Sequence, residues 1–307
     1  MKKILLATTA LAMSSTLAAA EISFSGDGRF GLEYDDGAAP GVPETTIEAR
    51  MRVNINASVE TDAGVKFGGR IRIRSDNGTG ESTASAAYVY AEMAGFTIQV
   101  GNANTALDSA DLYFASAIGF VDNSFGDNQA GITGYSSGPY TGTPNRMGIF
   151  ASYEVGDFVG RISYTDENQS IDTDASEIQI SADYTFGAVS VSAGYADNAE
   201  FVQTSTVTFL GAQYAFNDAG NVGILFYDNN FVGTASDFSQ VTVYGDYTFG
   251  ATTVKAYVAN NDNATNVTDN VYGLGVSYDL GGATAAFDIN QGYDEETVAA
   301  LGVSFKF

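Results

Sequence analysis

From Thr45 to Glu60 apolar and polar positions alternate: Ile47, Ala49, Met51, Val53, Ile55, Ala57 and Val59 stand against Glu48, Arg50, Arg52, Asn54, Asn56, Ser58 and Glu60. A period of two is the mark of a strand with one oily face and one wet face. Thr61-Asp62-Ala63-Gly64 supplies turn residues. The alternation then resumes, with Val65, Phe67, Gly69, Ile71 and Ile73 against Lys66, Gly68, Arg70, Arg72 and Arg74. The pattern predicts a hairpin with five arginines and a lysine on its wet face. Each strand is roughly twice the usual globular length. An uncharged face that long calls for lipid or a large core.

The same alternation runs along most of the chain. Glu21 to Tyr34 precedes the hairpin, and Ala84 to Met93 and Phe96 to Gly101 follow it. After an interruption it returns over 146–155, 158–165, 177–186, 189–195, 206–216, 221–227, 239–249, 252–259, 270–280, 283–290 and 297–307. Tight connections fall near Thr61-Gly64, Ala94-Gly95, Gly156-Asp157, Gly187-Ala188, Asn217-Gly220, Gly250-Ala251 and Gly281-Gly282, and longer ones lie between them. Seven short turns and eight longer loops predict sixteen strands. An even strand number with short turns at one end and long loops at the other predicts an all-β fold, a 16-stranded antiparallel transmembrane β-barrel. The Asp183-Tyr184-Thr185-Phe186-Gly187-Ala188 turn recurs as Asp246-Tyr247-Thr248-Phe249-Gly250-Ala251. It places two rings at the polar boundary of the oily band, where a membrane interface selects them.

Residues 1–20 read as a secretory signal: Lys2-Lys3, an apolar run from Ile4 to Met13, and small residues up to Ala20. Residues 21–307 are then the barrel domain. No later stretch approaches the roughly 20 apolar residues of a spanning helix. The chain carries 13 Lys and Arg against 37 Asp and Glu, and loss of the signal takes the net charge from -24 to -26. So acidic a chain excludes general nucleic-acid binding. Cysteine and histidine are both absent, which removes disulfides and every His-dependent catalytic or metal constellation. No enzymatic step is expected. No cofactor is expected either; the clusters Asp172-Thr173-Asp174 and Asp76-Asn77-Gly78 echo calcium loops without the full ligand spacing. Gly26-Asp27-Gly28-Arg29-Phe30-Gly31 matches a dinucleotide pattern but sits inside a strand with no helix after it, so it is set aside.

Closure of the sheet would put Arg29, Arg50, Arg52, Lys66, Arg70, Arg72 and Arg74 on one sector of the inner wall, seven of the eleven basic residues beyond the signal. Crowded like charges need water or counter-charge. The longest interruption of the pattern, 102–145, holds Asp108, Asp111, Asp122 and Asp127 among apolar residues such as Leu107, Leu112, Tyr113 and Ile118. A loop this long is functional or disordered, and its hydrophobics argue that it packs. Two placements stay open for its aspartates: solvated loop positions, or positions facing the arginines across a narrowed passage. The acid of the other long connections, Asp35, Asp36, Glu44, Asp294, Glu295 and Glu296 among them, makes one rim negative.

The opening Glu21-Ile22-Ser23-Phe24-Ser25-Gly26-Asp27-Gly28-Arg29-Phe30-Gly31-Leu32, the segment Ala110-Asp111-Leu112-Tyr113, the Thr-Phe-Gly-Ala turns and the closing Leu301-Gly302-Val303-Ser304-Phe305-Lys306-Phe307 resemble the general diffusion porins of alphaproteobacteria, the Rhodobacter type. The likeness covers the chain beyond its signal. It implies a homotrimer in the outer membrane of a Gram-negative bacterium, surrounded by lipid and lipopolysaccharide. It also implies a third loop, 102–145, folded into the lumen as the constriction. Arg29, Arg50, Arg52, Arg70, Arg72 and Arg74 would then form its basic side and Asp108, Asp111, Asp122 and Asp127 its acidic side. Phe305 and Phe307 would form the signal read by the outer-membrane assembly machinery.

The expected function is a passive, water-filled channel for ions and small hydrophilic solutes, weakly cation-selective because of its net charge. Two alternatives stand beside it. A secreted soluble β-rich adhesin suits the polar loops but not the uncharged faces or the terminal Phe307. A substrate-selective channel, for sugars for example, requires a continuous aromatic track in the lumen, and parity leaves the facing of 206–216 and 84–93 undecided.

Overall fold

The structure, a computed structural model, describes residues 20–76, 82–121, 124–128, 132–139, 145–171, 176–231 and 237–307. Outside these residues lie the signal segment up to residue 19, Asn77-Gly78, Asp122, and Asp172-Thr173-Asp174. The strands are β1 (Glu21–Asp35), β2 (Thr45–Glu60), β3 (Lys66–Asp76), β4 (Thr83–Ala84 and Tyr88–Met93), β5 (Phe96–Gly101), β6 (Met147–Val155), β7 (Phe158–Asp166) and β8 (Ser176–Phe186). They continue as β9 (Val189–Asp197), β10 (Thr206–Asn217), β11 (Gly220–Asn230), β12 (Phe238–Phe249), β13 (Thr252–Asn261), β14 (Asn270–Asp279), β15 (Ala283–Gln291) and β16 (Thr297–Lys306). Each pairs antiparallel with its sequence neighbours, and β16 returns to β1, in register from Asp27 opposite Lys306 to Asp35 opposite Val298. The result is the expected closed barrel of sixteen strands. Closure leaves no unpaired edge toward lipid.

Parity decides which side chains face out. Ile22, Phe24, Phe30 and Leu32 on β1, Ile47 and Met51 on β2, and Leu301 and Phe305 on β16 are all exposed. Equivalent positions continue round the barrel, with Ile47 at 74%. A belt of this extent is compatible with hydrocarbon and not with water. Near the short turns the repeated aromatics pair: Tyr184 with Phe186 at 5.9 Å, and Phe216 with Tyr247 at 6.1 Å with nearly parallel rings. Five of the seven short turns are two-residue reversals, and the other two span 61–65 and 280–282. At Ala94-Gly95 both φ angles are positive, 50° and 82°, as the twist of a tight hairpin requires.

One expected strand is interrupted. Over 84–93 the ladder breaks between Ala84 and Tyr88, because the Ser85 hydroxyl accepts the Arg72 backbone N–H at 3.0 Å where a strand carbonyl would stand. The seam between the two ends of the chain explains the glycine-rich first strand. Phe307 and Gly26 exchange backbone hydrogen bonds of 2.8 and 3.0 Å. A Cβ at Gly26 would lie 2.8 Å from the Phe307 ring, and one at Gly28 2.5 Å from the Phe305 ring. The glycine pattern is thus a pair of ring seats, not a phosphate cradle.

The buried core lies inside the barrel. Leu107, Leu112, Tyr113 and Ile118 of the long loop pack on Val207, Phe209, Leu225 and Tyr227 of the wall. The facing left open by parity over 206–216 is settled there: Val207, Phe209 and Gly211 point inward, and Leu210 and Tyr214 outward.

Candidate functional site

The long loop leaves β5 and runs round the inner wall, pinned strand by strand. Ala106 N–H donates to Ser163 Oγ on β7 (3.0 Å) and Leu107 N–H to Gln179 Oε1 on β8 (2.8 Å). Leu112 N–H reaches Ser192 Oγ on β9 (3.3 Å), and Tyr227 on β11 donates its hydroxyl to the Tyr113 carbonyl (2.6 Å). Gly126 O accepts from Gln240 and Thr242 on β12 (2.8 and 2.6 Å), and Phe125 N–H donates to the Tyr257 hydroxyl on β13 (3.0 Å). Phe120 N–H donates to Asp288 Oδ2 on β15 (2.6 Å). Rings lock the middle of the path, with Tyr113 4.9 Å from Phe209 and 5.3 Å from Tyr227. Anchors of this kind satisfy loop backbone that water would otherwise have to serve.

The basic wall lies on β1, β2 and β3, outside these anchors. Alternation on β1, β2 and β3 aims Arg29, Arg50, Arg52, Arg70, Arg72 and Arg74 inward, and the register sets Arg29 beside Arg50 and Arg52 beside Arg74. Their nearest acids are on the same strands. Arg29 Nε contacts Glu48 at 2.5 Å, Asp27 serves both Arg52 (2.8 Å) and Arg50 (3.6 Å), and Arg74 pairs with Asp76. Arg70 and Arg72 have no carboxylate partner among the described residues. The Arg70 guanidinium lies over Tyr88 (4.9 Å) and Tyr135 (4.4 Å). Arg72 donates to Asn54 (2.8 Å) and to Ser137 of the loop (2.7 Å). The returning arm of the loop, 132–139, is thus fastened to the basic wall by cation–π contact and hydrogen bonds. Lys66 is not in this group. It is exposed next to the Thr61–Gly64 turn, in register with Glu60 and Glu92.

The loop aspartates are used differently from one another. Asp111 pairs with Arg161 of β7 at 3.0 Å, and Arg161 also holds Asp183. Burial raises the Asp111 carboxyl and neighbouring Asp183 raises it further, against the pull of Arg161. Asp108 is raised by burial and eased by its hydrogen bond with Asn104. Asp127 is 4% exposed and faces the wall, not the opening. Its Oδ1 accepts the Ser116 N–H (3.1 Å) and hydroxyl (2.6 Å), while Oδ2 has no partner. Burial pushes this carboxyl up to about 7, with Ser116 and Lys255 opposing. Asp122 lies outside the described residues.

Sequence reasoning missed Asp27, Glu48 and Asp76 as the partners of the arginines. The signal was present, since Asp27 and Glu48 share inward parity with them. Tyr135 and the anchoring acids Asp183 and Asp288 carried no local signal. Among the described residues no group of His, Cys, Asp and Glu could hold a metal ion. The inward aromatics Phe209, Tyr227, Tyr244 and Tyr257 lie under the loop at 0–4% exposure, so they form no track along the lumen.

Residues 7–296 match the family model described as Gram-negative porin. The chain is 39% identical over 295 residues to a porin of Fuscovulum blasticum, and 30% identical over 315 residues to a porin of Rhodobacter capsulatus. Each match covers 94% of this chain and 100% of the relative. A solved variant of the Rh. blastica porin superposes with a TM-score of 0.88 at 38% identity, over 94% of this chain and all of the other.

Proposed function

The chain belongs to the Gram-negative porin family and is an outer-membrane porin channel, not an enzyme, and from that premise we propose that ions and small hydrophilic solutes cross it passively through a constriction between the basic wall and the long loop. Arg29, Arg50, Arg52, Arg70, Arg72 and Arg74 frame the basic side. Asp108 and Asp111 supply the acidic side, and Asp127 docks the loop. The observation that carries this reading is the asymmetry of the lumen. The loop is pinned to the wall from β7 to β15, while the six guanidinium groups stand together on β1, β2 and β3.

Passage through such an opening depends on hydrated size first and on the field second. The formal net charge, -24 for the whole sequence and -26 once Lys2 and Lys3 are gone with residues 1–20, with acids on the long loops at the mouth, favours cations mildly. The oily belt takes membrane lipid, and the family's trimeric assembly, lipopolysaccharide contact, signal cleavage after Ala20 and recognition of Phe305 and Phe307 by the assembly machinery complete the proposal. Reconstitution of protein lacking residues 1–20 into a planar bilayer tests it. Large, long-lived steps in potassium chloride, closing in threes and with a reversal potential favouring potassium, are expected. Folded, inserted protein without steps would sink the reading.

A further inference from the structure

We propose that the short-turn side of the basic wall carries a binding subsite for a small dianionic oxyanion, the phosphate group of a phosphate monoester. The proposal rests on the channel reading above and gives a solute class to that lumen. A cavity of about 440 Å³ opens between β1, β2, β15 and β16 beneath the ring of Phe120. Four cations line it, Arg29, Arg50, Arg52 and Lys306, against two carboxylates, Asp27 and Asp279.

The local pairing leaves part of that excess standing. Glu48, outside the cavity, holds Arg29. Asp27 is shared by Arg50 and Arg52, so one carboxylate serves two guanidinium groups. Asp279 accepts the Gly281 N–H at 2.8 Å and is occupied in the turn. Lys306 has no ion-pair partner among the described residues. Thr284 and Ser304 stand opposite each other in register on the same floor. Neither hydroxyl has a hydrogen-bond partner among the described residues.

With Glu48 set against Arg29 one lining cation is left over, and Arg72, whose charge reaches Arg52 and which has no carboxylate partner among the described residues, brings the excess to two, the charge of a dianion. Guanidinium forks and an ammonium supply charge-assisted donors to phosphate oxygens, and the two hydroxyls supply neutral ones. The volume falls in the range of small-molecule sites. Phe120, 5.9 Å from the Arg29 guanidinium, covers the side on which a short carbon body would lie. Excess like charge beside a lipid-backed wall is costly without counter-charge, and a mobile oxyanion relieves it. A monoanion such as acetate neutralises only half of the excess.

The test uses the full barrel in planar bilayers in potassium chloride at pH 7.5, with glycerol 3-phosphate added to each compartment in turn and acetate as the control. The expected result is a saturating reduction of conductance by glycerol 3-phosphate at millimolar concentration, absent with acetate. The doubly substituted Thr284→Val, Ser304→Ala protein and the Lys306→Gln protein, each referred to its own conductance without phosphate, should weaken half-saturation about tenfold, the first by losing two hydroxyl contacts and the second by losing the ammonium contact. Should Lys306→Gln fail to assemble beside the terminal Phe307, the hydroxyl variant decides the matter. Block equal to that of acetate, or unchanged in the hydroxyl variant, overturns the proposal while the channel reading stands. Absence of chloride-salt steps altogether refutes both.

Discussion

Replacing Asp127 by Asn should remove a pH dependence from the docking of the long loop. The carboxyl is 4% exposed, with Oδ1 held by Ser116 and Oδ2 facing no donor. Lys255 on β13 is the cation whose field reaches it, and the hydroxyls of Tyr113, Tyr227, Tyr244 and Tyr257 surround it. Its pKa rises from the ordinary 3.8 to about 7 when the loop is docked. That difference corresponds to about 4 kcal/mol against docking the ionised form. The sign follows from the direction. A carboxyl whose docked value is raised binds its proton more tightly when docked, so the stabilisation is complete below pH 4 and is lost as pH rises to about 7.

Asn keeps the acceptor for Ser116, carries no charge, and leaves a buried amide N–H unpaired, at a cost of about 1–3 kcal/mol. The variant should therefore dock less firmly than the parent at pH 4 and more firmly at pH 8. Native-state hydrogen exchange of the Ser116, Phe120 and Phe125 amides, corrected for intrinsic rates, reads the difference. Parent protection should fall by about 10³-fold between these pH values and the variant's should stay flat. Equal slopes in the two proteins would refute the assignment to Asp127.

Neutral replacement of Arg50, Arg52 and Arg72 together should leave the barrel folded and strengthen cation preference, read as a larger reversal potential under a salt gradient; an unchanged potential would mean the cluster does not border the narrow point. Tyr113→Ala removes a ring with 0% exposure from the loop's aromatic lock. It should weaken loop docking by about 3–5 kcal/mol and make single-channel current noisy, whereas quiet current would show that the polar anchors suffice. Gly28→Ala puts a methyl 2.5 Å from the Phe305 ring. Overpacking of about 1–3 kcal/mol at the closing seam should lower the temperature at which the barrel loses its heat-modifiable gel mobility, and an unaltered transition would show that the ring turns aside freely.

Local alternation alone determined the strands, their number and the inward basic face, because a period of two is written in adjacent residues and a barrel wall asks for nothing else. The turn glycines and the paired rings beside them were legible for the same reason. The path of the long loop was not. Its anchors join residues far apart in the chain, Phe120 to Asp288 across 168 positions and Tyr227 to Tyr113 across 114, and no local period encodes such a meeting. Only the closed barrel could show that Asp127 turns into the wall, that Asp111 belongs to Arg161, and that Lys66 stands at the rim. It also decided which acids answer the arginines. Coulomb energy in a low-dielectric wall falls with distance, so Asp27 and Glu48 on the adjacent strand and Asp76 two residues along the same strand pair with them before any loop residue can.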